Sequence, residues 1–542
     1  MRAMRAQLGS GEFAEVREGP LWLLARRDKS FPGGAYEGFI PESEIAGPAA
    51  VEDWRQAPEG HYVLACARPG RLSLLRALSG GERLFHTRVD GTVLFSSSLR
   101  PLLAHPRIAR RLNSTKLREA LLTGLTLSGE ETLIDGICEV APGHVLHLAD
   151  DSSVHRWHYE GLLQPPEGSL QQLAARYREA LARAVVAAAG PARPVALTLS
   201  GGIDSAAIVA LAVEAFGASQ VTAFTYEFDD PRHRPSEAPF AAEVCRKLGI
   251  RDHRIFRIGF DRFLAAIPET VWRAESFVHW PKAFMLLAMR HIRDAGFGRY
   301  LCGFGIGSHM AYFEEVARLL RWLPAPVLAT YWRLAQGRGG ELLERLHPAL
   351  AVPNQRLRHF LLNLLSGAVD ETFRGMPTAD LLRHQSFAHL VSCIDVTRWE
   401  KPLCELGVHR VSPAHFASTI PYAYLNYRPA PPPWSEARRL RPGKHLLRLA
   451  MRDALPESVL FRRKSWADAV VSNAWLSAGT RWMRSVVPEY WRVAGPETEA
   501  RALRRWDARS PQHAVTALAF WNRLFVERPP SPQPPTWGEL LA

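Results

Sequence analysis

The sequence predicts an α/β protein in two parts. Residues 1–165 form a β-rich sandwich, and residues 166–542 form a parallel sheet with a helical C-terminal part. Three observations predict this. Short alternating apolar runs, punctuated by Gly, Pro and Asp, fill the first 150 residues. An apolar strand pattern, Val195 to Leu199, passes through a paired-glycine turn into a second apolar run, Ala206 to Val213. Beyond that point strand and helix patterns alternate, the order that builds a parallel sheet covered on both faces.

In the first part Tyr62–Cys66, Leu72–Leu75, Leu84–His86 and Thr92–Phe95 read as strands, and Pro142-Gly143-His144 opens a last hairpin. Gly168-Ser169 precedes a helix over Leu170 to Ala189, with Ser169 as its N-cap. After the strand at Val195 come a strand at Phe224–Phe228, a helix over Pro239 to Leu248 and a strand at His253–Phe256. From about residue 310 the chain reads as mainly helical, and Arg428 to Pro442 as a Pro/Arg-rich loop. The sequence shows no internal repeat.

At 542 residues and 47% hydrophobic content the chain is long enough to bury substantial cores. It contains no apolar run near the about 20 residues of a membrane span. Met1-Arg2-Ala3-Met4-Arg5 leads into polar sequence rather than an apolar signal core, so a cytoplasmic protein is expected. The six cysteines lack metal-ligand spacing, and most read as reduced core thiols. The net charge of +13 comes from arginine spread along the chain, with no basic block or aromatic-interleaved stripe. It therefore reads as a solvated surface, and neither nucleic acid nor membrane is an expected partner. Only seven residues are lysine, which makes the placement of each informative.

Ser200-Gly201-Gly202-Ile203-Asp204-Ser205 lies between the first buried strand and its helix. A glycine turn into a helix N-terminus aims backbone N–H groups at one point, where an anion can sit. The Ser200 and Ser205 hydroxyls add donors, and the glycines admit a close approach. Asp204 would repel a phosphate unless a cation lay between them, which points to Mg2+. The loop reads as a pyrophosphate-binding turn.

Several motifs together resemble the asparagine synthetase superfamily, over nearly the whole length. They include Leu94-Phe95-Ser96-Ser97-Ser98-Leu99-Arg100, Thr132-Leu133-Ile134-Asp135-Gly136-Ile137 with Pro142-Gly143-His144, Glu237-Ala238-Pro239-Phe240-Ala241, and Gly443-Lys444-His445-Leu446-Leu447-Arg448 followed by Leu455-Pro456 and Arg462-Arg463-Lys464. The resemblance implies a glutamine amidotransferase-like domain of the Ntn-hydrolase type over 1–165. It implies an ATP-pyrophosphatase domain, like the adenine-nucleotide α-hydrolases, over 166–542. Glutamine-using members carry a Cys directly after the initiator Met; here Arg2 stands there, so a silent N-terminal domain is expected. The cyclising branches, β-lactam and lasso-peptide macrolactam synthetases, share that trait. Glu405-Leu406-Gly407-Val408-His409-Arg410-Val411-Ser412-Pro413 resembles the lasso-peptide form.

The resemblance implies that ATP activates a carboxylate as an acyl-adenylate, which an amine then converts to an amide. Lys464 and Lys444 are the expected catalytic residues. Leu199, Ser200, Gly201, Gly202, Asp204, Ser205, Thr225, Gly303 and Gly305 are the expected nucleotide-binding residues, with Asp204 as the metal ligand. The second glycine loop, Cys302-Gly303-Phe304-Gly305-Ile306-Gly307-Ser308, has Gly307 and Ser308 where the family has acidic residues. A displaced carboxylate at Glu314 or Glu315, fewer metal ligands, or a weak or inactive enzyme would each account for that. Glu237 is either a helix cap or a nucleotide-site residue; Thr225 and Phe224 line the adenine pocket or pack the core. Asp395, Glu400 and Glu405 are candidates for the general base. Trp272, Phe277, His279 and Trp280 form an aromatic group suited to a core or to the wall of a peptide-sized pocket. The expected partner is a peptide or small carboxylate substrate, with a leader-peptide protease and a precursor-binding protein beside it in the lasso reading. An amide ligase acting on a small metabolite and a nucleotide-binding pseudoenzyme are the alternatives.

Overall fold

The structure is a computed structural model. It describes residues 13–306 with interruptions, the longest at 118–129, together with 406–423, 444–462, 473–486 and 513–541. Its two principal sheets differ in kind: one is antiparallel and lies early in the chain, the other is parallel.

Strands β1 (Phe13–Glu18) and β2 (Leu21–Arg26) make an antiparallel pair. A six-stranded antiparallel sheet follows. It is built from β3 (Ser30–Phe31), β4 (Gly34–Phe39), β5 (His61–Arg68), β6 (Arg71–Arg76), β10 (His144–Leu148) and β11 (Ser153–Trp157), in the order β11-β10-β6-β5-β4-β3. Alternation along its strands sends side chains to opposite faces. Tyr62, Leu64, Cys66 and Leu75 pack on one side, and Val63, Ala65, Leu72 and Leu74 on the other. The second side is covered by a three-stranded sheet, β8-β7-β9, made of β7 (Phe85–Val89), β8 (Thr92–Ser96) and β9 (Cys138–Glu139), whose Val93 and Phe95 reach that core. Arg76 and Arg83 share the Glu139 carboxylate beneath this packing. The expected strands at Tyr62, Leu72, Leu84 and Thr92 and the hairpin after Pro142 are all present within a few residues.

The parallel sheet has the order β14-β13-β12-β15-β16. Its strands are β12 (Val195–Thr198), β13 (Val221–Phe228), β14 (Asp252–Ile258), β15 (Arg299–Leu301) and β16 (His409–Val411). Period-two alternation again assigns two cores. Val195, Leu197, Val221, Ala223, Leu301 and Val411 face one, and Ala196, Phe224, Phe228 and Tyr300 the other. The first core is closed by α2 (Leu170–Ala189) and α3 (Ile203–Phe216), the second by α7 (Ala283–Asp294), α9 (Asn473–Val486) and α10 (His513–Asn522). Strands buried on both faces read as apolar runs, which is why β12 and β13 stand out in the sequence. Ser169 caps α2 through a reciprocal capping box with Gln172. β16 is a strand inside the stretch that reads as helical. Its pairing is fixed by contacts remote in sequence, His409 N–H to the Gly298 carbonyl (2.8 Å) and Cys302 N–H to the Val411 carbonyl (3.0 Å).

The early and late parts share a core. Phe85, α1 (Leu99–Leu103), Leu133 and Ile134 pack in the same cluster as Phe224, Trp272 and Trp280. Glu275 makes the polar joint. It ends α6 (Ile267–Ala274) in a left-handed conformation (φ 49°) and is buried. Its carboxylate accepts from the Ser98 hydroxyl, the Leu99 N–H (3.0 Å) and the Arg100 guanidinium (3.2 Å), while Arg100 lies over the Trp272 ring. Trp272, Phe277 and Trp280 are thus core residues. Among the described residues no helix is long and apolar enough to cross a membrane. Cys66, Cys245 and Cys302 are buried and Cys138 half-buried, all as free thiols.

Candidate active site

The strand order reverses at β12, which has β13 on one side and β15 on the other. At such a switch point the following loops diverge and the carboxyl ends of the strands open a crevice. The loops that emerge here are the two glycine-rich segments, Leu199–Ser205 after β12 and Cys302–Ile306 after β15.

Gly201 adopts φ +65°, and a Cβ there would lie 2.6 Å from the Phe240 Cβ and 2.9 Å from the Glu237 carbonyl oxygen. Glycine is thus demanded both by the turn and by the helix packed on it. Gly202 precedes α3 and presents that helix's N-terminus at the crevice. The Ser205 hydroxyl accepts from the Ser200 N–H (3.0 Å) and donates to the Gly202 carbonyl (3.2 Å), and it lies 3.1 Å from the Ser200 hydroxyl. Ser205 is therefore a buried clasp that holds the turn closed, while Ser200 is the exposed hydroxyl.

The second loop abuts the first directly. A Cβ on Gly303 would fall 2.4 Å from the Asp204 carbonyl carbon and 2.5 Å from the Ser205 nitrogen. Gly305 (φ +89°) seats the His415 imidazole where a Cβ would sit, 1.8 Å from its Nε2. His415 in turn packs edge-on against His61 of β5, whose Nε2 accepts the Ser412 N–H at 3.2 Å. The antiparallel sheet therefore reaches the second loop through two buried histidines.

The segment 444–462 closes the crevice. Lys444 stands ahead of α8 (His445–Ala450) with φ 64° and is buried. Its Nζ donates to both Asp204 carboxylate oxygens, at 2.6 Å to Oδ1. Further along, Arg462 Nη1 donates to Glu237 Oε2 (2.6 Å) and to the Gly201 carbonyl (3.2 Å), with its guanidinium 3.8 Å from the centre of the Phe240 ring. Glu237 makes no cap hydrogen bond to α4 (Ala238–Leu248); its carboxylate serves Arg462 instead. Burial, helped by the Asp204 charge, holds the Tyr177 phenol far above its usual range, so that side chain stays neutral.

Thr225 is fully buried. Its hydroxyl donates to the Leu199 carbonyl (2.7 Å), leaving His253 Nε2 to donate to the hydroxyl oxygen at 2.8 Å. Burial pushes His253 below its ordinary range. Phe224, likewise buried, packs edge-on against Phe297. Thr225 supports the turn from below, while Phe224 belongs to the core. The structure thus brings Leu199, Ser200, Gly201, Gly202, Asp204, Ser205, Gly303, Gly305 and Lys444 to one crevice. Lys464, Asp395, Glu400, Glu405, Gly307, Ser308, Glu314, Glu315 and His279 lie outside the described residues. Sequence reasoning missed Arg462 and the His61–His415 contact. Arg462 had one signal, its place two residues before Lys464 in a basic triplet; the histidines had none.

A family model for asparagine synthase matches residues 176–515, more than half of the chain. The chain belongs to the asparagine synthase family. Asparagine synthetase [glutamine-hydrolyzing] 3 of Bacillus subtilis (strain 168) is 28% identical over 191 residues, covering 32% of this chain and 30% of that protein. Asparagine synthetase [glutamine-hydrolyzing] 1 of the same organism is 23% identical over 443 residues, 76% of this chain and 67% of that protein. The chain therefore spans less than a third of the length of the first relative. A glutamine-dependent NAD+ synthetase from Acinetobacter baumannii, solved with adenosine diphosphate, is 15% identical over 48% of this chain and 59% of that chain. Its TM-score is 0.16. The asparagine synthase match begins inside α2 and takes in both glycine loops, Lys444 and Arg462.

Proposed function

We propose that the protein is an ATP-dependent, AMP-forming carbon–nitrogen ligase, and that its substrate is a peptide which it closes into a macrolactam. The observation that carries the ligase reading is the meeting of two glycine loops at the switch point, with the Asp204 carboxylate held by Lys444, in a chain of the asparagine synthase family. Lys444 keeps a left-handed backbone that a lysine does not favour, and such strain persists where the surrounding structure enforces it for a purpose.

In this reading a substrate carboxylate oxygen attacks the α-phosphorus of ATP and the bond to the β-phosphate oxygen breaks. The leaving pyrophosphate rests on the N–H groups of Gly201 and Gly202 and the Ser200 hydroxyl. The amine nitrogen then attacks the acyl carbon, the acyl carbon–oxygen bond breaks with its electron pair leaving on AMP, and the amine releases its proton to solvent. Lys444 supplies positive charge to the phosphates, and Lys464 to the acyl-transfer step. The donor set suits a hard cation, because Asp204 already accepts one in the form of the Lys444 ammonium, beside hydroxyl and carbonyl oxygens. Asp204 would hold Mg2+, which supplies neutralising charge to the phosphates when bound. Among the described residues no three His, Cys, Asp or Glu side chains cluster as a metal cage.

The peptide reading is supported by the resemblance of 405–413 to the lasso-peptide form; 409–411 of that segment is β16, beside the second loop. Pyrophosphate–ATP exchange is the test, with candidate carboxylate peptides and small acids, comparing the wild type with Asp204→Ala. Exchange that needs a peptide and vanishes in the variant, with a product lighter than the peptide by one water, is the expected result. Exchange supported only by a small acid would move the substrate class to metabolites. ATP binding without exchange on any acid would favour a pseudoenzyme.

A further inference from the structure

We infer that Arg462 is a positioning residue for the pyrophosphate turn, setting its grip on the β- and γ-phosphates while leaving the nucleoside monophosphate end alone. The inference rests on the proposed nucleotide reading and adds to it a residue and a division of labour.

Four observations converge. Arg462 Nη1 donates to the carbonyl of Gly201, the residue at the apex of the turn, at 3.2 Å. The same nitrogen donates to Glu237 Oε2 at 2.6 Å, and the pair is sheltered, with side-chain exposures of 10% for Arg462 and 18% for Glu237. The guanidinium plane lies 3.8 Å from the centre of the Phe240 ring, and Phe240 is the side chain whose Cβ forbids any Cβ at Gly201. Among the described residues Arg462 Nη2 is sealed from solvent and has no hydrogen-bond partner. A guanidinium that leaves a buried donor unsatisfied is held by its other contacts, because leaving that donor unmet is costly.

The consequence for the turn is geometric. The φ of +65° at Gly201 permits more than one orientation of the next peptide plane, since glycine has no Cβ to restrict it. An acceptor bond to the Gly201 carbonyl fixes that plane. The Gly202 N–H belongs to the same peptide unit, so fixing the carbonyl toward Arg462 fixes the N–H toward the crevice. Flipping this one peptide would replace a donor by a carbonyl at the anion seat. Lysine cannot substitute, because an ammonium does not stack on Phe240 in the fixed plane that directs Nη1.

The test uses the full chain and isothermal titration with two probes, inorganic pyrophosphate with Mg2+ and AMP, on the wild type, Arg462→Lys, Arg462→Met and Glu237→Gln. Pyrophosphate affinity is expected to fall about tenfold or more in both Arg462 variants, with AMP affinity within about twofold of the wild type. Glu237→Gln, which keeps the Gly201 bond, is expected to lose less. A general structural defect would lower both affinities together, and that outcome overturns the inference. Wild-type affinity in Arg462→Lys beside a weak Arg462→Met would assign the effect to charge and likewise overturn it. If Arg462→Met does not fold, the Lys variant decides alone, by the same selective loss. A wild-type protein that binds neither probe sinks the nucleotide reading itself; one that binds both while the variants match it sinks only this inference.

Discussion

Replacing Gly303 by alanine perturbs the site where its two loops touch backbone to backbone. The added methyl would lie 2.4 Å from the Asp204 carbonyl carbon, 2.5 Å from the Ser205 nitrogen and 2.6 Å from the Asp204 oxygen. All three are main-chain atoms in the first turn of α3, so none can swing aside as a side-chain tip would. Ordinary contact between heavy atoms begins near 3.5 Å, and one loop must therefore retreat by about 1 Å. Overpacking of this kind costs about 1–3 kcal/mol, and the rigid neighbours put Gly303→Ala at the upper end. A displacement of about 1 Å at the reacting centre lowers a rate on the order of 100-fold. The assays are urea unfolding and pyrophosphate–ATP exchange, with Gly70→Ala as the control. Gly70 has φ +71° and no atom within 4 Å of its would-be Cβ, so alanine there costs only the left-handed strain, about 1–2 kcal/mol, and leaves exchange unchanged. Wild-type stability and wild-type exchange in Gly303→Ala would refute the contact between the loops and the site built on it.

Asp204→Asn should flatten the Mg2+ dependence of ATP affinity measured by titration calorimetry with and without chelator; an unchanged dependence would place the cation elsewhere. His291 stacks on Phe256 at 4.4 Å, and its pKa is depressed from 6.5 by burial and then by Arg254. A depressed histidine contributes stability in full above its unfolded value and loses it as pH falls through the folded value. Unfolding free energy should therefore decline below about pH 6.5, and His291→Phe, which keeps the stack, should reduce that slope. Glu275→Gln removes the carboxylate charge that the buried Arg100 meets and should cost about 3 kcal/mol by urea unfolding. A loss under about 0.5 kcal/mol would show that the joint between the sheets is held by packing alone.

What the sequence discloses follows the range of the forces involved. β12 and β13 are legible because strands buried on both faces must be apolar throughout, and α2 because its cap and apolar stripe are local. The turn at Ser200–Ser205 is legible for the same reason, as its paired glycines answer a local demand. Partners set by distant chain are not. Nothing near Glu237 announces that its carboxylate meets Arg462, and nothing near β16 announces a strand, since its hydrogen bonds go to residues about 110 positions earlier. Thr225 and Ser205 show a subtler limit. A hydroxyl beside a binding loop can face the ligand or hold the loop, and only the fold shows that these two hold it.

The charges around the turn are already paired. Lys444 meets Asp204 and Arg462 meets Glu237, so one late segment delivers two cations to two acids at the first loop. Sheltered cations without anions would be costly to bury, and the carboxylates offset that cost before any ligand arrives. In the proposed reading a polyphosphate would meet neutral pairs here, and its attraction would be realised only when an ammonium turned from carboxylate to phosphate. Of the two pairs only Lys444–Asp204 is suited to that exchange. Its ammonium is a compact point charge on a flexible stem, and Asp204 is 22% exposed. Arg462 is held by a hydrogen bond, an ion pair and a ring, three contacts that would all have to be surrendered. In the proposed reading the two basic residues divide the work, Arg462 fixed to shape the turn and Lys444 able to exchange a carboxylate for a phosphate.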